Sequence, residues 1–460
     1  MKYVCVFFCL ALIYGCNYKV IRQGDTKMIL PKDESFTLAK DSNLTQKEDT
    51  YFQDLFPSPE LKNLITTGLQ KNPDWRVQLA KLEFEKVSSG LEFVESKPNV
   101  ETRLGWMEGK EKTRESDFQK RRVPNLQAGA LFNWELDLWG KWKLIKESSL
   151  MHIKEAEYVK SMAKISFIHE IAEMWILMTA KQKQIHFLNK AVSSQAKTMQ
   201  MYKILQDKGL DDNETYISQG AANDQLKLEQ TRIAGELEFY KIRLRSLLGQ
   251  PLDRDISQNT DFSKIELPVL PKIFPTIALE NRPDIKAKEA KLRESIYLEK
   301  SSAYDLYPSL AFQVSGISLA SDISKTFDQW KAAFGPIFNF PIWSPKKKML
   351  LDVAKAKREL KKEEWKAAVF KAIEEIEWST ISFIMKKEEY LHAQNFSKKT
   401  DQILQITKGK FRAGLISELV LLEGERNSLD AKIKSIESKM KVFQSAINLS
   451  RALGLCVEEI

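Results

Sequence analysis

The chain has 460 residues, of which 29% are charged and 43% hydrophobic, with only 18 glycines and 15 prolines. This composition is typical of an ordered, helix-rich chain and excludes collagen-like and low-complexity proteins. The net charge of +9 comes from interspersed acidic and basic residues, which favours solvated helix faces over a nucleic-acid-binding patch. A mean hydropathy of −0.36, with no apolar run of about 18 residues after the N-terminus, excludes a polytopic helical membrane protein but not a β-barrel.

The N-terminus has the pattern of a secretory signal. Lys2 precedes an apolar run over residues 4–13, and Gly15 places a small residue directly before Cys16. This pattern predicts a signal peptide over residues 1–15 and a lipoprotein in which Cys16 is acylated. An ordinary cleaved signal with an incidental cysteine is the alternative. The polar residues 16–50 then predict a tether that leads away from the lipid.

Landmark residues recur at a nearly constant offset, which predicts an internal duplication. At an offset of 210, Pro73-Asp74 aligns with Pro283-Asp284 and Pro98 aligns with Pro308, and at 205 Leu248-Gly249 aligns with Leu453-Gly454. We therefore divide the chain into a first repeat at 51–249, a linker at 250–275, a second repeat at 276–454 and a tail at 455–460.

Each repeat contains two segments in which apolar and polar residues alternate, at about 98–113 and 125–139, then 308–321 and 328–343. Such alternation predicts strands with one apolar face. A sheet packed on a soluble core is the usual alternative, but the lipidated N-terminus and the roughly 9–11 residues needed to cross a bilayer favour transmembrane strands. Four strands cannot close a barrel, and lipid forbids an open edge. Three chains would therefore share a 12-stranded barrel.

Two long tracts free of proline, 140–208 and 346–411, predict helices on the order of 100 Å at ~1.5 Å per residue. Each tract ends at a glycine-containing turn, after which a returning helix follows. In the second repeat that helix has residues at alternating spacings of four and three from Leu415 to Ile447, all apolar except Arg426, which predicts coiled-coil packing. The predicted fold class is α+β, with long antiparallel helices and four strands in an internally duplicated chain.

No catalytic chemistry is predicted. The four histidines are His152, His169, His186 and His392. The first three are 17 residues apart, which on a helix rotates each by about 260° from the one before, so they share no face. The motifs of zinc proteases, serine hydrolases and nucleotide-binding loops are absent. We therefore predict no enzyme activity, no cofactor and no metal site.

Several short motifs, in their order and spacing over about residues 51–454, resemble the TolC-like outer-membrane efflux factors, in particular the lipoprotein (NodT-like) branch partnered with RND-type pumps. These motifs are Asn72-Pro73-Asp74, Trp134 to Lys141, Leu248 to Pro251, Arg282 to Ile285, Tyr307 to Leu310 and Arg412 to Leu415. The resemblance implies a homotrimer whose outer-membrane β-barrel continues into an α-helical tunnel in the periplasm. It also implies that the helical tip docks a periplasmic adaptor and an inner-membrane transporter.

The predicted function is therefore a passive exit duct for small molecules, drugs or metal ions, delivered by an inner-membrane pump. Two alternatives remain open: the outlet of a type I protein secretion system, and a structural lipoprotein that spans the periplasm without a pore. In every case we expect a lipid-anchored outer-membrane protein that extends into the periplasm and does not bind nucleic acid.

Three groups of residues are candidates for functional contacts. At the membrane interface, where tryptophan and lysine favour lipid headgroups, these are Trp139, Lys141, Trp142, Trp343 and Lys346; a basic helix start is the alternative. At the turns, where glycine permits positive φ, the resemblance implies adaptor contacts by Gly209, Leu210, Arg412, Gly414, Leu415 and Ser417; ordinary turns are the alternative.

The third group is the periplasmic aperture, formed by Leu419 and Glu423. Glu423 matches by position a carboxylate that lines the closed aperture in TolC-like proteins. Val420 stands where the family has a second carboxylate, so the predicted ring of acidic residues is single. A solvated glutamate on an exposed helix face is the alternative.

Overall fold

The computed structural model describes residues 52, 56–106, 126–210, 212–251, 260–268, 275–320 and 330–455. Cys16, the signal peptide and the tether lie outside these residues. The helices are α1 Pro59–Lys71, α2 Pro73–Val94, α3 Lys141–Asp207, α4 Asn213–Leu247, α5 Pro275–Asn281, α6 Pro283–Tyr304, α7 Pro345–Arg412 and α8 Glu418–Ala452. The strands are β1 Asn99–Trp106, β2 Leu126–Leu136, β3 Ser309–Ala320 and β4 Trp330–Asn339.

The same order of elements occurs twice. A helix of 22 residues, two strands, a long helix and a returning helix make up both α2-β1-β2-α3-α4 and α6-β3-β4-α7-α8. The long helices α3 and α7 have 67 and 68 residues, and the returning helices α4 and α8 have 35 each. Among the described residues, no helix combines the length and the apolarity that a membrane span requires.

The first compact unit spans Ser88–His152 and Lys291–Lys362, of which the structure describes 88–106, 126–152, 291–320 and 330–362. Its centre is one sheet of four antiparallel strands in the order β1-β2-β3-β4. The register aligns one apolar row across all four strands, Val100, Phe132, Val314 and Phe334. The adjacent row, Asn99, Asn133, Gln313 and Gly335, carries no large apolar side chain and points to the opposite face. The sheet therefore has an apolar face and a polar face.

The second unit contains Asp33–Val87, Ile153–Ala290 and Glu363–Ile460 within the described ranges. Its core is densest around α3, where Ile168, Ile171 and Trp175 are fully buried. Along α8 the predicted coiled-coil seam is buried at Leu422, half-buried at Arg426, Leu429 and Ile433, and buried again from Ile436 onward. Phe443 and Ile447 are completely inaccessible. Leu415, the first residue of that seam, lies in the turn before α8 and is exposed, because the helix begins only at Glu418.

The segment before α1 also belongs to this core. Phe52 and Phe56 are buried, and the Phe52 ring centroid lies 4.6 Å from that of His169, while Phe56 lies 6.1 Å from Phe443. Phe52 and Phe56 are therefore fixed to the helices of the second unit by apolar contact.

Candidate functional site: the sheet face and the helix turns

Most large side chains on the apolar face of the sheet are exposed, although on β2 Phe132 is half-buried and Leu126 is buried. Phe334 is 82% exposed, and its row neighbours Val100 and Val314 are also exposed. Further large exposed side chains on this face are Leu104, Trp106, Trp134, Phe312, Trp330 and Phe338, whereas the exposed Ile317 and Ile337 lie on the opposite face. A sheet that covered a soluble core would bury one such row. An apolar patch of this extent on one chain marks contact with a partner or with lipid.

The first strand-to-helix junction is fixed by polar contacts. Trp139 donates its indole N–H to the Pro308 carbonyl over 2.6 Å, and its ring lies 5.3 Å from that of Tyr307. Lys141 forms an ion pair of 2.7 Å with Asp305. These contacts join the segment after β2 to the segment before β3. They therefore hold the β1-β2 pair and the β3-β4 pair in one sheet.

Asp137, to which we assigned no role from the sequence, starts α3. Its carboxylate accepts hydrogen bonds from the backbone N–H groups of Trp142 and Lys143 at 3.2 and 3.0 Å. The first N–H groups of a helix have no partner within it, and a carboxylate there also opposes the positive end of the helix dipole. An aspartate just before a long helix-forming tract was the signal for this role.

The five predicted interface residues differ in exposure. Trp343 is 87% exposed, and Trp139 and Lys346 are exposed too. Trp142 is only 8% exposed, and the Lys141 ammonium lies 4.8 Å from the centre of its ring. Trp142 therefore packs inside the unit, whereas the other two tryptophans remain available at the surface.

The two turns have the same local form. Gly209 has φ of +68° and Gly414 has φ of +73°, a conformation that side chains with a Cβ seldom adopt. Each glycine is followed by an exposed leucine, Leu210 at 71% and Leu415 at 73%. The chain thus presents one large apolar side chain at each turn.

The helix starts after the turns are capped differently. Asp212 accepts hydrogen bonds from the backbone N–H and the hydroxyl of Thr215 at 2.9 and 2.8 Å, which lowers the pKa of Asp212. Ser417 occupies the cap position of α8 without a side-chain capping bond, and Arg412 is exposed at the end of α7. The polar groups of the second turn therefore remain accessible.

The two predicted aperture residues lie one helical turn apart on α8. Leu419 is half-buried and Glu423 is exposed, so they occupy one side of the helix. The next turn holds Arg426, which donates to the Thr198 hydroxyl at 2.6 Å. Burial lowers the pKa of Arg426, and the negative charge of Glu423 opposes that shift. The proximity of these two charges was not predicted, although an arginine at a seam position was a visible signal.

Comparison with known proteins gives consistent matches. The sequence model of the family described as outer membrane efflux protein matches residues 274–455. The toluene efflux pump outer membrane protein TtgC of Pseudomonas putida is 22% identical over 437 residues, 92% of this chain and 88% of TtgC. The probable outer membrane lipoprotein SilC of Salmonella typhimurium is 22% identical over 444 residues, 92% of each chain.

Solved structures share the fold. The outer-membrane channel OprN superposes with a TM-score of 0.77 at 22% identity, covering 96% of this chain and 98% of OprN. The open state of the Neisseria gonorrhoeae MtrE outer membrane channel superposes with a TM-score of 0.78 at 18% identity, covering 94% and 98%. The predicted α+β fold, with long helices and one four-stranded antiparallel sheet, is thereby confirmed. Residues 274–455 thus match the outer membrane efflux protein family, and the chain as a whole is similar in sequence to TtgC and in fold to OprN.

Proposed function

We propose that this chain is the outer-membrane channel of an efflux system and serves as a passive exit duct for small molecules. One observation carries the proposal: a four-stranded sheet exposes most of the large side chains on its apolar face. Within the described strands, β1 and β4 each pair on one side only, which leaves two sheet edges open. Open edges are not tolerated in lipid, so the strands must pair with those of other copies. Three copies supply twelve strands, enough to enclose a pore.

The names of the relatives support efflux of small molecules. TtgC is named for toluene efflux and SilC as an outer membrane lipoprotein, and both match this chain along nearly their whole length. We therefore favour a small-molecule duct over an outlet for secreted proteins. A structural lipoprotein without a pore gives no role to the apolar face of the sheet. Lipidation of Cys16 would anchor the chain in the same membrane that the sheet enters.

The energy for transport would come from an inner-membrane pump reached through a periplasmic adaptor. The exposed Leu210 and Leu415, each held at the end of a long helix hairpin by a positive-φ glycine, support a role of the two turns as the adaptor contact. Arg412 and Ser417, whose hydroxyl makes no capping hydrogen bond, add polar groups beside the second leucine. An apolar centre with a polar rim is the usual composition of a docking patch.

The test is the oligomeric mass of the detergent-extracted protein together with its single-channel conductance. We expect a trimer that conducts. Phe334→Arg should abolish insertion, since an arginine on the lipid face near the middle of such a strand costs about 2–4 kcal/mol, whereas Gln313→Arg on the opposite face should insert. A monomer without conductance, or equal insertion of the two variants, would refute the proposal.

A further inference from the structure

A polar cavity of about 230 Å³ lies among the helices of the first unit, away from the strands. Its lining is made of four serines, one imidazole and one carboxylate: Ser88, Ser89, Ser148, Ser149, His152 and Glu294. Serine side chains are short, so the three helices α2, α3 and α6 leave room between them. The proposed duct function uses none of these residues, and a cavity with this lining suits a hydrated polar ligand.

The two strongest ligand atoms of the cavity face each other across two helices. Nδ1 of His152 on α3 lies 3.4 Å from Oε2 of Glu294 on α6. Two ligands about 2.0–2.2 Å from a tetrahedral metal ion are separated by about 3.3–3.6 Å. The observed separation therefore fits one metal ion held by both atoms, with little movement of either helix.

A positive charge already occupies this position. The Lys291 ammonium lies 3.3 Å from Nδ1 of His152 and 2.9 Å from Oε2 of Glu294. The Glu294 carboxylate only accepts and would take a hydrogen bond from Nδ1–H, whereas the Lys291 ammonium only donates and meets the lone pair of Nδ1 in the neutral Nε2–H tautomer. That is the form that binds metals. Lysine has a long flexible stem, so Lys291 can withdraw when a stronger cation enters.

From this geometry we propose that His152 and Glu294 form a binding site for one divalent transition-metal ion of the Zn²⁺ type per chain. Imidazole nitrogen and carboxylate oxygen suit such an ion. Water and the serine hydroxyls complete its surroundings. Lys291 holds the two ligands together in the metal-free protein and competes with the ion for them.

The experiment is isothermal titration of Zn²⁺ into the full-length protein in detergent, after dialysis against a chelator. We expect one ion per chain. His152→Ala and Glu294→Gln should each weaken binding at least about tenfold, as loss of a group that holds a metal does. Lys291→Met should strengthen binding, because it removes the competing charge and keeps both ligands. His392→Ala, a change of an exposed histidine on α7, is the matched control and should bind like the wild type.

The Lys291→Met variant also distinguishes loss of a ligand from misfolding, because it is expected to bind Zn²⁺ more tightly and a misfolded protein would not. Absence of Zn²⁺ binding in the wild type would overturn the proposal. It would equally be overturned if Lys291→Met bound more weakly, or if His152→Ala and Glu294→Gln both bound like the wild type.

Discussion

Asn72 and Arg282 perform the same task in the two repeats by different chemistry. Each precedes a Pro-Asp pair that starts a helix, 210 residues apart. The Asn72 amide donates to the carbonyls of Ser246 and Leu247 at 3.2 and 3.0 Å, at the end of α4. The Arg282 guanidinium donates to the Ala452 carbonyl at 2.9 Å, at the end of α8. The last carbonyls of a helix have no hydrogen-bond donor within that helix. Each of these two side chains therefore donates to carbonyls at the end of the returning helix.

The contact is close because a glycine follows each returning helix. A Cβ added at Gly249 would lie 2.6 Å from the Lys71 carbonyl oxygen, and one at Gly454 would lie 3.1 Å from Cγ of Arg282. Both glycines have positive φ, +61° and +68°. The Leu-Gly landmark of each repeat thus lets the end of one helix approach the start of another.

The first prediction concerns Arg282, which also binds Asp284 and Glu375, each at 2.7 Å. Arg282→Met should destabilise the protein by about 2 kcal/mol, because it leaves a buried carbonyl without its donor. Arg232→Met on the exposed face of α4 is the control, since a surface ion pair contributes at most about 1 kcal/mol. Denaturant unfolding in detergent measures both. Equal losses would contradict the role of Arg282.

The second prediction concerns the buried imidazole of His169. Its Nδ1 lies 2.7 Å from the Ile165 carbonyl, which can only accept, so Nδ1 carries the proton. In the neutral ring Nε2 is then unprotonated, and it lies 2.6 Å from the Ser450 hydroxyl oxygen, which is also 2.8 Å from the Ile447 carbonyl. Burial lowers the pKa of His169 to about 4. The folded protein therefore keeps a neutral imidazole well below the pH at which an unfolded chain takes up the proton.

The sign of the pH effect follows from this difference. Above about pH 6.5 both states are neutral at this residue. Between that pH and about 4 only the unfolded state binds the proton, so the free energy of unfolding falls by about 3 kcal/mol as the pH decreases. His169→Gln should lose this part of the pH dependence, and His392→Gln should retain it. The measurement is the free energy of unfolding at a series of pH values. If this free energy depended on pH in the same way in the wild type and in His169→Gln, His169 would not be a buried neutral imidazole.

Local features of this fold could be predicted from the sequence, and long-range pairs could not. Alternation and proline position are properties of neighbouring residues, so the strands and long helices could be located. The partners of Asn72 lie 174 and 175 residues away. His152 and Glu294 are 142 residues apart, and our comparison of the histidines with one another could not find that pair. Pairs of this kind depend on which helices become neighbours.

The same limit explains two differences of detail. Tryptophan and lysine near Trp142 suggested an interface, but the side chain packs inward because the facing of a helix is set by its neighbours. The alternating spacing of four and three residues extends back to Leu415 in the sequence. However, Gly414 has positive φ, which is not helical, and α8 begins only at Glu418. Periodicity alone does not mark where a helix begins.

The third prediction concerns the turns. Gly414→Trp should block efflux while the yield of trimer is unchanged, because a bulky residue there would occupy the docking surface. No other atom lies within 4 Å of the Cβ position of Gly414, so the fold has space for the side chain, although positive φ adds about 1 kcal/mol of strain. Gly90→Trp on α2, where the Cβ position is also open, is the control. Intact efflux in the Gly414 variant would exclude this contact.

The fourth prediction concerns Glu423 and depends on the proposed trimer. Three-fold symmetry would bring three exposed carboxylates together beside Leu419. At ~8 Å separation and an effective dielectric constant of about 20, each pair repels by roughly 2 kcal/mol. A bound divalent cation relieves this repulsion, so cations added from the periplasmic side should block the channel. Because Arg426 lies on the next turn of α8, its charge limits the repulsion without removing it.

Single-channel recording of the reconstituted protein measures this block directly. Glu423→Ala should weaken block by divalent cations, since the ring would lose all three of its charges at once. Glu425→Ala is the matched control: it lies two residues along the same helix, and its carboxylate pairs with Lys408 at 3.5 Å. Removal of that charge should leave cation block unchanged, because residues two apart do not share a helix face. If Glu423→Ala and the wild type were blocked at the same cation concentration, Glu423 would not line the aperture, and the exposed glutamate would be only a solvated group on α8.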